Sequence, residues 1–199
     1  MYTLFWSGGK DSYLALELFS QYHPEADITL LTSYNQETGS LPWQGVSVND
    51  IKKQAAQLDY PLTTVPLPPE PSNEIYLGAI KEALDKQSEA TGQTELIFGD
   101  WGNEQIREWR EQVFRNQRNY VCHFPIWKKS LHELFPVLMF KPVRIYISYV
   151  APKWHPFLRV GEEYTQQLVR MLPKEMDPMG ENGEFHTRLE IQSLNEDVV

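Results

Sequence analysis

A single cysteine, Cys122, stands in a chain of 199 residues. That excludes an internal disulfide framework and a multi-cysteine zinc site, and it agrees with a reducing compartment. No apolar run is long enough to cross a bilayer, and the N-terminus lacks the basic, apolar and small-residue order of a signal peptide. The expectation is a soluble protein of the cytoplasm. Basic residues are outnumbered as well: 18 Lys+Arg stand against 27 Asp+Glu, a formal net charge of −9. Such a surface repels polyanions and disfavours broad contact with nucleic acid, although it leaves room for a local basic patch. Internal repeats and low-complexity tracts are missing too, and no shift of composition forces a domain boundary.

What is present is an ordinary folded composition, 41% hydrophobic and 23% charged. The length suits one domain, or a domain with a small lobe. Short β-type runs, "YTLFW", "DITLLTS", "LTTVPL", "ELIFG" and "VRIYISYV", alternate with helical patterns. This predicts an α/β fold with a doubly wound, mainly parallel sheet. "SVNDIKKQAAQL" opens with Ser47 and Asp50 at capping-box spacing and continues with Ile51, Ala55 and Leu58 on one helix face. "SNEIYLGAIKEALDKQ" repeats the pattern with Tyr76, Ile80 and Leu84. Residues 1–124 are expected to form the main unit and 125–199 a smaller C-terminal lobe, with "NEDVV" as a loose tail.

The chemistry starts at "WSGGKDS". It is not an ATPase P-loop, because Leu4 stands where that loop has its first glycine and Asp11 follows Lys10. Two glycines nonetheless let backbone approach an anion, successive N–H groups form a nest, and the helix that begins near Asp11 points its positive end at the turn. Its place after the first strand is where open α/β sheets bind ligands. The plain alternative is a strand-to-helix turn capped by Asp11 or Ser12.

"SGGKDS" resembles the loop of the N-type ATP pyrophosphatases, relatives of GMP synthetase and asparagine synthetase, which split ATP into AMP and pyrophosphate. The resemblance implies that Ser7, Gly8, Gly9, Asp11 and Ser12 cradle pyrophosphate with Lys10 beside it. It also implies that the backbone around Ser33, at the end of the second strand, receives adenine.

Further along, Gly99 can bring backbone close to a ligand, and Asp100 can bind Mg²⁺, bind a ribose hydroxyl or cap the following helix. Arg107 and Arg110 offer bidentate guanidinium groups near the same strand tip. In "MDPMGENGEFHT", Asp177, Glu181, Glu184 and His186 fall within ten residues. Asn182-Gly183 is also a tight-turn pair, so a polar hairpin anchored by Phe185 accounts for the same letters. The i,i+4 spacing of a zinc protease is absent, which leaves Mg²⁺ carried in with ATP as the expected metal.

"FGD", "IREWRE", "FPIW" and "GENGEFHT", taken together after "WSGGKDS", are similar to the diphthine–ammonia ligase family of these pyrophosphatases over nearly the whole chain. His186 and Asn182 resemble its small stand-alone bacterial branch. The resemblance implies that Gly180, Glu181, Asn182, Gly183, Glu184 and Thr187 line the acceptor side, while Gly99, Asp100, Arg107 and Glu108 lie toward the nucleotide. It implies an ATP-dependent ligase that adenylates a carboxylate, releases pyrophosphate and transfers ammonia or an amine. Lys10, Asp11, Glu181, Glu184 and His186 are the catalytic candidates, with Glu184 or His186 as the base, and Asp11 and Asp100 are the candidates for Mg²⁺. Activation of an oxygen on a tRNA base, and nucleotide binding without turnover, are the alternative readings. Neither the acceptor nor the oligomeric state is specified, and a homodimer remains an option.

Other residues attract chemistry less. Cys122 and His123 are neighbours on a strand and point to opposite faces, so a structural thiol is expected instead of a nucleophilic dyad. Trp6, Trp101 and Trp127 are expected to pack or to line the cleft.

Overall fold

The computed structural model describes residues 1–42, 44–91, 95–118, 120–139 and 143–192, with backbone alone at 89–91 and 116–118. The expected tail at 195–199 lies outside the described residues. In chain order the elements are β1 (Tyr2–Phe5), α1 (Lys10–Tyr22), β2 (Ile28–Asn35), α2 (Val48–Gln57), β3 (Leu62–Leu67), α3 (Asn73–Thr91) and β4 (Glu95–Ile97). They continue with α4 (Glu104–Arg118), β5 (Cys122–His123), α5 (Leu131–Met139), β6 (Val143–Val150), α6 (Gln166–Met171) and β7 (Phe185–Ile191).

Five strands form a parallel sheet in the order β3-β2-β1-β4-β5. The chain moves outward from β1 to β3 and then returns to β4 on the other side of β1. This reversal opens a crevice at the carboxyl ends of β1 and β4, where such sheets take ligands. Strand alternation divides the apolar residues between two layers. Leu30 and Ile97 join Leu14, Phe19 and Ile51 on one face, while Leu31 and Leu96 join Ile80, Leu84 and Phe114 on the other. The strands therefore read as near-continuous apolar runs, as strands buried on both faces do.

The expected capping box of α2 is present: Ser47 Oγ accepts from Asp50 N at 3.1 Å, and Asp50 Oδ2 accepts from Ser47 N at 3.4 Å. One strand is placed differently from its sequence reading. "VRIYISYV" forms β6 but stays out of the parallel sheet and pairs antiparallel with β7, Val143 opposite Ile191 and Val150 opposite Phe185. Its pattern of half-burial, with Ile145 and Ile147 inside, is that of a sheet with one solvated face. Those residues and Leu189 of β7 belong to the same apolar cluster as Leu4 and Leu14, so β7 is held against the start of α1. Among the described residues, no helix is long and apolar enough to cross a membrane.

Candidate functional site

The turn between β1 and α1 is shaped by what surrounds it. Gly8 adopts φ +74°, and a Cβ there would fall 2.4 Å from Ile51 Cδ1. Gly9 is the N-cap of α1, and no side chain of its own caps the helix. A Cβ at Gly9 would stand 2.7 Å from the Thr187 carbonyl oxygen, so β7 approaches as closely as a glycine permits. Across that contact Lys10 N donates to Thr187 Oγ1 at 3.0 Å, and Leu189 N donates to Gly8 O at 2.7 Å. Buried Gln54 completes the brace: its Nε2 donates to Gly8 O (3.2 Å) and Leu189 O (2.8 Å), and its Oε1 accepts from Trp6 Nε1 (3.0 Å). Ser7, Gly9, Lys10, Asp11 and Ser12 line a cavity of about 270 Å³.

Lys10 is 2% exposed. Its Nζ lies 2.9 Å from both Asp11 carboxylate oxygens and 2.6 Å from Met179 O, and 5.5 Å from the Tyr164 and Phe185 ring centroids. The loop from Asp177 to Glu184 is thus fastened to the turn. Its other side is fastened to the turn that leads into α4, because Glu181 Oε2 accepts from Gly102 N at 3.2 Å and Asn103 N at 3.1 Å. Gly180 (φ +76°) and Gly183 (φ +79°) bend the loop. Glu184, 5% exposed, braces it from within by accepting from Asp177 N (3.2 Å), Asn182 N (2.9 Å) and Asn182 Nδ2 (3.1 Å).

At the strand tip of β4, a Cβ on Gly99 would sit 2.8 Å from the Asp11 carbonyl, which explains the glycine. Asp100 faces the cavity beside Arg110, whose Nη2 donates to Oδ1 at 3.3 Å and whose Nε lies 2.7 Å from Oδ2. Arg110 also lines an adjoining hollow of about 190 Å³ with Phe5, Ser7, Ser33, Gln44 and Tyr76. The two hollows together reach the size of small-molecule sites, on the order of 300–1,000 Å³.

The cavity's charges are strained by enclosure. Burial holds the Asp11 carboxyl above the ordinary carboxylate range despite the neighbouring Lys10, and repulsion from Asp100 adds to the rise. Burial likewise raises Glu181, with Asp11 adding to it while the Gly102 amide and Lys10 oppose. His186 moves the other way: burial and then Lys10 lower its pKa, and Asp11 offsets them in part. At neutral pH His186 is therefore an uncharged imidazole facing the cavity.

Of the sequence candidates, the structure gathers Ser7, Gly9, Lys10, Asp11, Ser12, Gly99, Asp100, Gly180, Glu181, His186 and Thr187 around one cavity, with Gly8 just behind the turn. Ser33 lines the adjoining hollow. Arg107 is placed elsewhere: its guanidinium lies 4.8 Å from the Phe124 ring and 4.7 Å from that of Trp127, and its Nε pairs with Glu111 at 3.0 Å. Arg110, one helical turn later, takes the place at the cavity. Glu184, Asn182 and Gly183 shape the loop and do not line the cavity. Asp100 does not cap α4; Asn103 does, its Oδ1 accepting from Ile106 N at 3.2 Å.

Sequence reasoning missed Gln54, Gln44 and Tyr76. A glutamine on the apolar face of Ile51, Ala55 and Leu58 was the one available sign for Gln54. Cys122 is half-buried, and burial pushes its thiol up to about 11, which makes it a poor nucleophile at neutral pH.

The donor set suits a hard divalent cation in company with phosphate oxygens. Asp11 and Asp100 both line the cavity and repel each other, and Mg²⁺ is commonly held by one or two carboxylates plus substrate phosphates. Among the described residues, no group of three or more His, Cys, Asp or Glu side chains gathers to hold a metal ion by itself.

No protein-family model matches this chain, and no curated protein matches it. Among solved structures it is similar to the U34-tRNA thiolase NcsA from Methanococcus maripaludis with its 4Fe–4S cluster. There the identity is 15%, the match covers 70% of this chain and 56% of that one, and the TM-score is 0.43. A predicted subunit of tRNA methyltransferase from Methanocaldococcus jannaschii matches at 13% identity over 99% of this chain and 98% of that one, with a TM-score of 0.49.

Proposed function

We propose that the cavity takes ATP and that the protein is an ATP-dependent, amide-forming ligase of the diphthine–ammonia ligase type. One observation carries the reading: the Ser7–Ser12 turn stands at the reversal of the sheet order, its helix start uncapped by its own N-cap, and opens into a cavity walled by acidic residues and a neutral histidine. Amide dipoles at a helix start attract an anion, each by about 0.3–1 kcal/mol.

In this reading an oxygen of the acceptor carboxylate attacks the α-phosphorus, the bond to the bridging oxygen of the β-phosphate breaks, and pyrophosphate leaves into the turn. The nitrogen of ammonia or an amine then attacks the acyl carbon, the bond to AMP breaks, and the nitrogen gives up a proton. His186 is the base, because it faces the cavity uncharged, whereas both Glu184 oxygens are occupied within the loop. Asp11 and Asp100 would hold Mg²⁺, which supplies charge neutralisation on the pyrophosphate when bound. Lys10 keeps Asp11 in place and anchors the C-terminal loop. Residues 1–124 then carry the nucleotide side, and the 125–199 segment brings the Gly180–Thr187 loop to the same cavity.

The test is incubation of the whole chain with MgATP labelled at the α-phosphate, ammonium and a metabolite extract. AMP and pyrophosphate in equal amounts, with one extract compound gaining an amide, is the expected result. Formation of ADP and phosphate, or failure to bind ATP in equilibrium dialysis, overturns the proposal. Salt-dependent tRNA binding with tRNA-stimulated AMP release would move the same phosphate chemistry to a base oxygen.

A further inference from the structure

A carboxylate acceptor needs a cation able to turn toward it. Among the described residues lining the cavity, the fixed cations are Lys10 and Arg110. An ammonium has three donors. Those of Lys10 are engaged by the two Asp11 oxygens and Met179 O, and the side chain is 2% exposed. Lys10 is saturated.

Arg110 is not. It has five N–H donors and lines both hollows. Its Nε and Asp100 Oδ2, both buried, approach to 2.7 Å, yet neither has an aligned hydrogen bond. Tyr76 shares the guanidinium from the side of the second hollow. The group lies 4.5 Å from the Phe98 ring and 5.9 Å from that of Phe5, which fix it while leaving donor capacity free. One turn earlier on α4, Ile106 lines the same cavity and is 42% exposed at its rim.

Resting on the ligase reading, the geometry points to Arg110 as the clamp for the acceptor carboxylate, and to an acceptor that is a monocarboxylic acid with an apolar body. The carboxylate takes the guanidinium edge in a charge-assisted pair, and the body lies against Phe5 and Ile106 at the cavity wall. Asp11, Asp100 and Glu181 in the same cavity repel a second anionic group on the acceptor.

The experiment uses the whole chain with 3-phenylpropanoate, hexanoate, succinate and citrate as probes. Pyrophosphate release is followed with MgATP and ammonium, ATP binding by equilibrium dialysis, and direct binding by shifts of isotope-labelled arginine Nε–H signals without nucleotide. The monocarboxylates are expected to stimulate pyrophosphate release and to shift one arginine signal, which R110Q removes, while succinate and citrate do neither. With ATP brought to saturation for each protein, Arg110→Gln should raise the half-saturating monocarboxylate concentration about 10- to 100-fold. Ile106→Glu, at an exposed rim position that does not threaten folding, should act in the same direction.

Equal stimulation by the dicarboxylates, or a half-saturation unchanged in both variants at saturating ATP, overturns the clamp. Failure of ATP to bind sinks the ligase reading alone, since the arginine signal still decides whether monocarboxylates meet Arg110. An unshifted signal sinks the clamp.

Discussion

Lys10 Nζ lies 2.6 Å from the carbonyl oxygen of Met179, a residue 169 positions further along the chain. The ammonium that the turn's sequence offers to a phosphate is thus already the rivet between the turn and the C-terminal loop, with Asp11 as its counter-charge.

Lys10→Met should therefore loosen the loop before it affects any phosphate. Removing one partner of a buried pair costs about 3–5 kcal/mol, and since 32% of the Asp11 side chain is exposed we expect about 2–4 kcal/mol. Urea unfolding measures the loss, and faster hydrogen exchange at residues 177–184 locates it. The double variant Lys10→Met/Asp11→Asn should recover part of the stability, because no unpaired charge then remains.

Glu181→Gln gives a pH test with a fixed sign. The Glu181 carboxyl is held above its ordinary 4.5, so between 4.5 and that raised value the folded chain keeps a proton that the unfolded chain has released. Its contribution to stability therefore falls as pH rises through that window. Relative to wild type, the variant should be more stable at higher pH than below 4.5. A pH-independent difference between the two unfolding free energies would contradict this.

His186 has the opposite sign. Its pKa lies below 6.5, so as pH falls from 6.5 the unfolded chain takes up a proton that the folded chain refuses. The stability contribution is complete above 6.5 and is lost as pH falls through the folded value. An imidazole carbon signal should titrate below 6.5 and vanish in His186→Gln, and the variant's unfolding free energy should be flatter in that range.

Gly9→Ala probes the contact with β7. The new Cβ would stand 2.7 Å from backbone, which cannot swing aside as a side-chain tip can. A cost of about 1–3 kcal/mol is expected, as for overpacking elsewhere, together with weaker nucleotide binding. Retention of full thermal stability would show that the strand yields.

Glu184→Ala should lower stability by about 2–4 kcal/mol, since three donors of the loop lose their acceptor. If Glu184 acted only as a base, the melting temperature would hold while turnover fell.

Much of this was legible where chemistry is local. The capping box at Ser47, the glycine turn after β1 and the bend at Asn182-Gly183 each depend on neighbours within a few residues, and each lies where its letters put it. The choice between Arg107 and Arg110 could not be read that way. The two are three positions apart on one helix, and what separates them is Phe124 and Trp127, which arrive from a distant segment and take Arg107. Glu184 poses a related problem: a carboxylate that braces a turn reads, in sequence, like one that meets a substrate. The partner of β6 was hidden too, because an apolar run tells that a strand is buried but not which edge it joins. Thr187 as the acceptor for Lys10 N lies 177 residues away, beyond any local signal.

The bond from Leu189 N to Gly8 O has a consequence for synthesis on the ribosome. The turn at Gly8 receives this lock only after residue 189 has cleared the exit tunnel. A nascent chain arrested upstream of β7 would carry the turn without the strand that closes it.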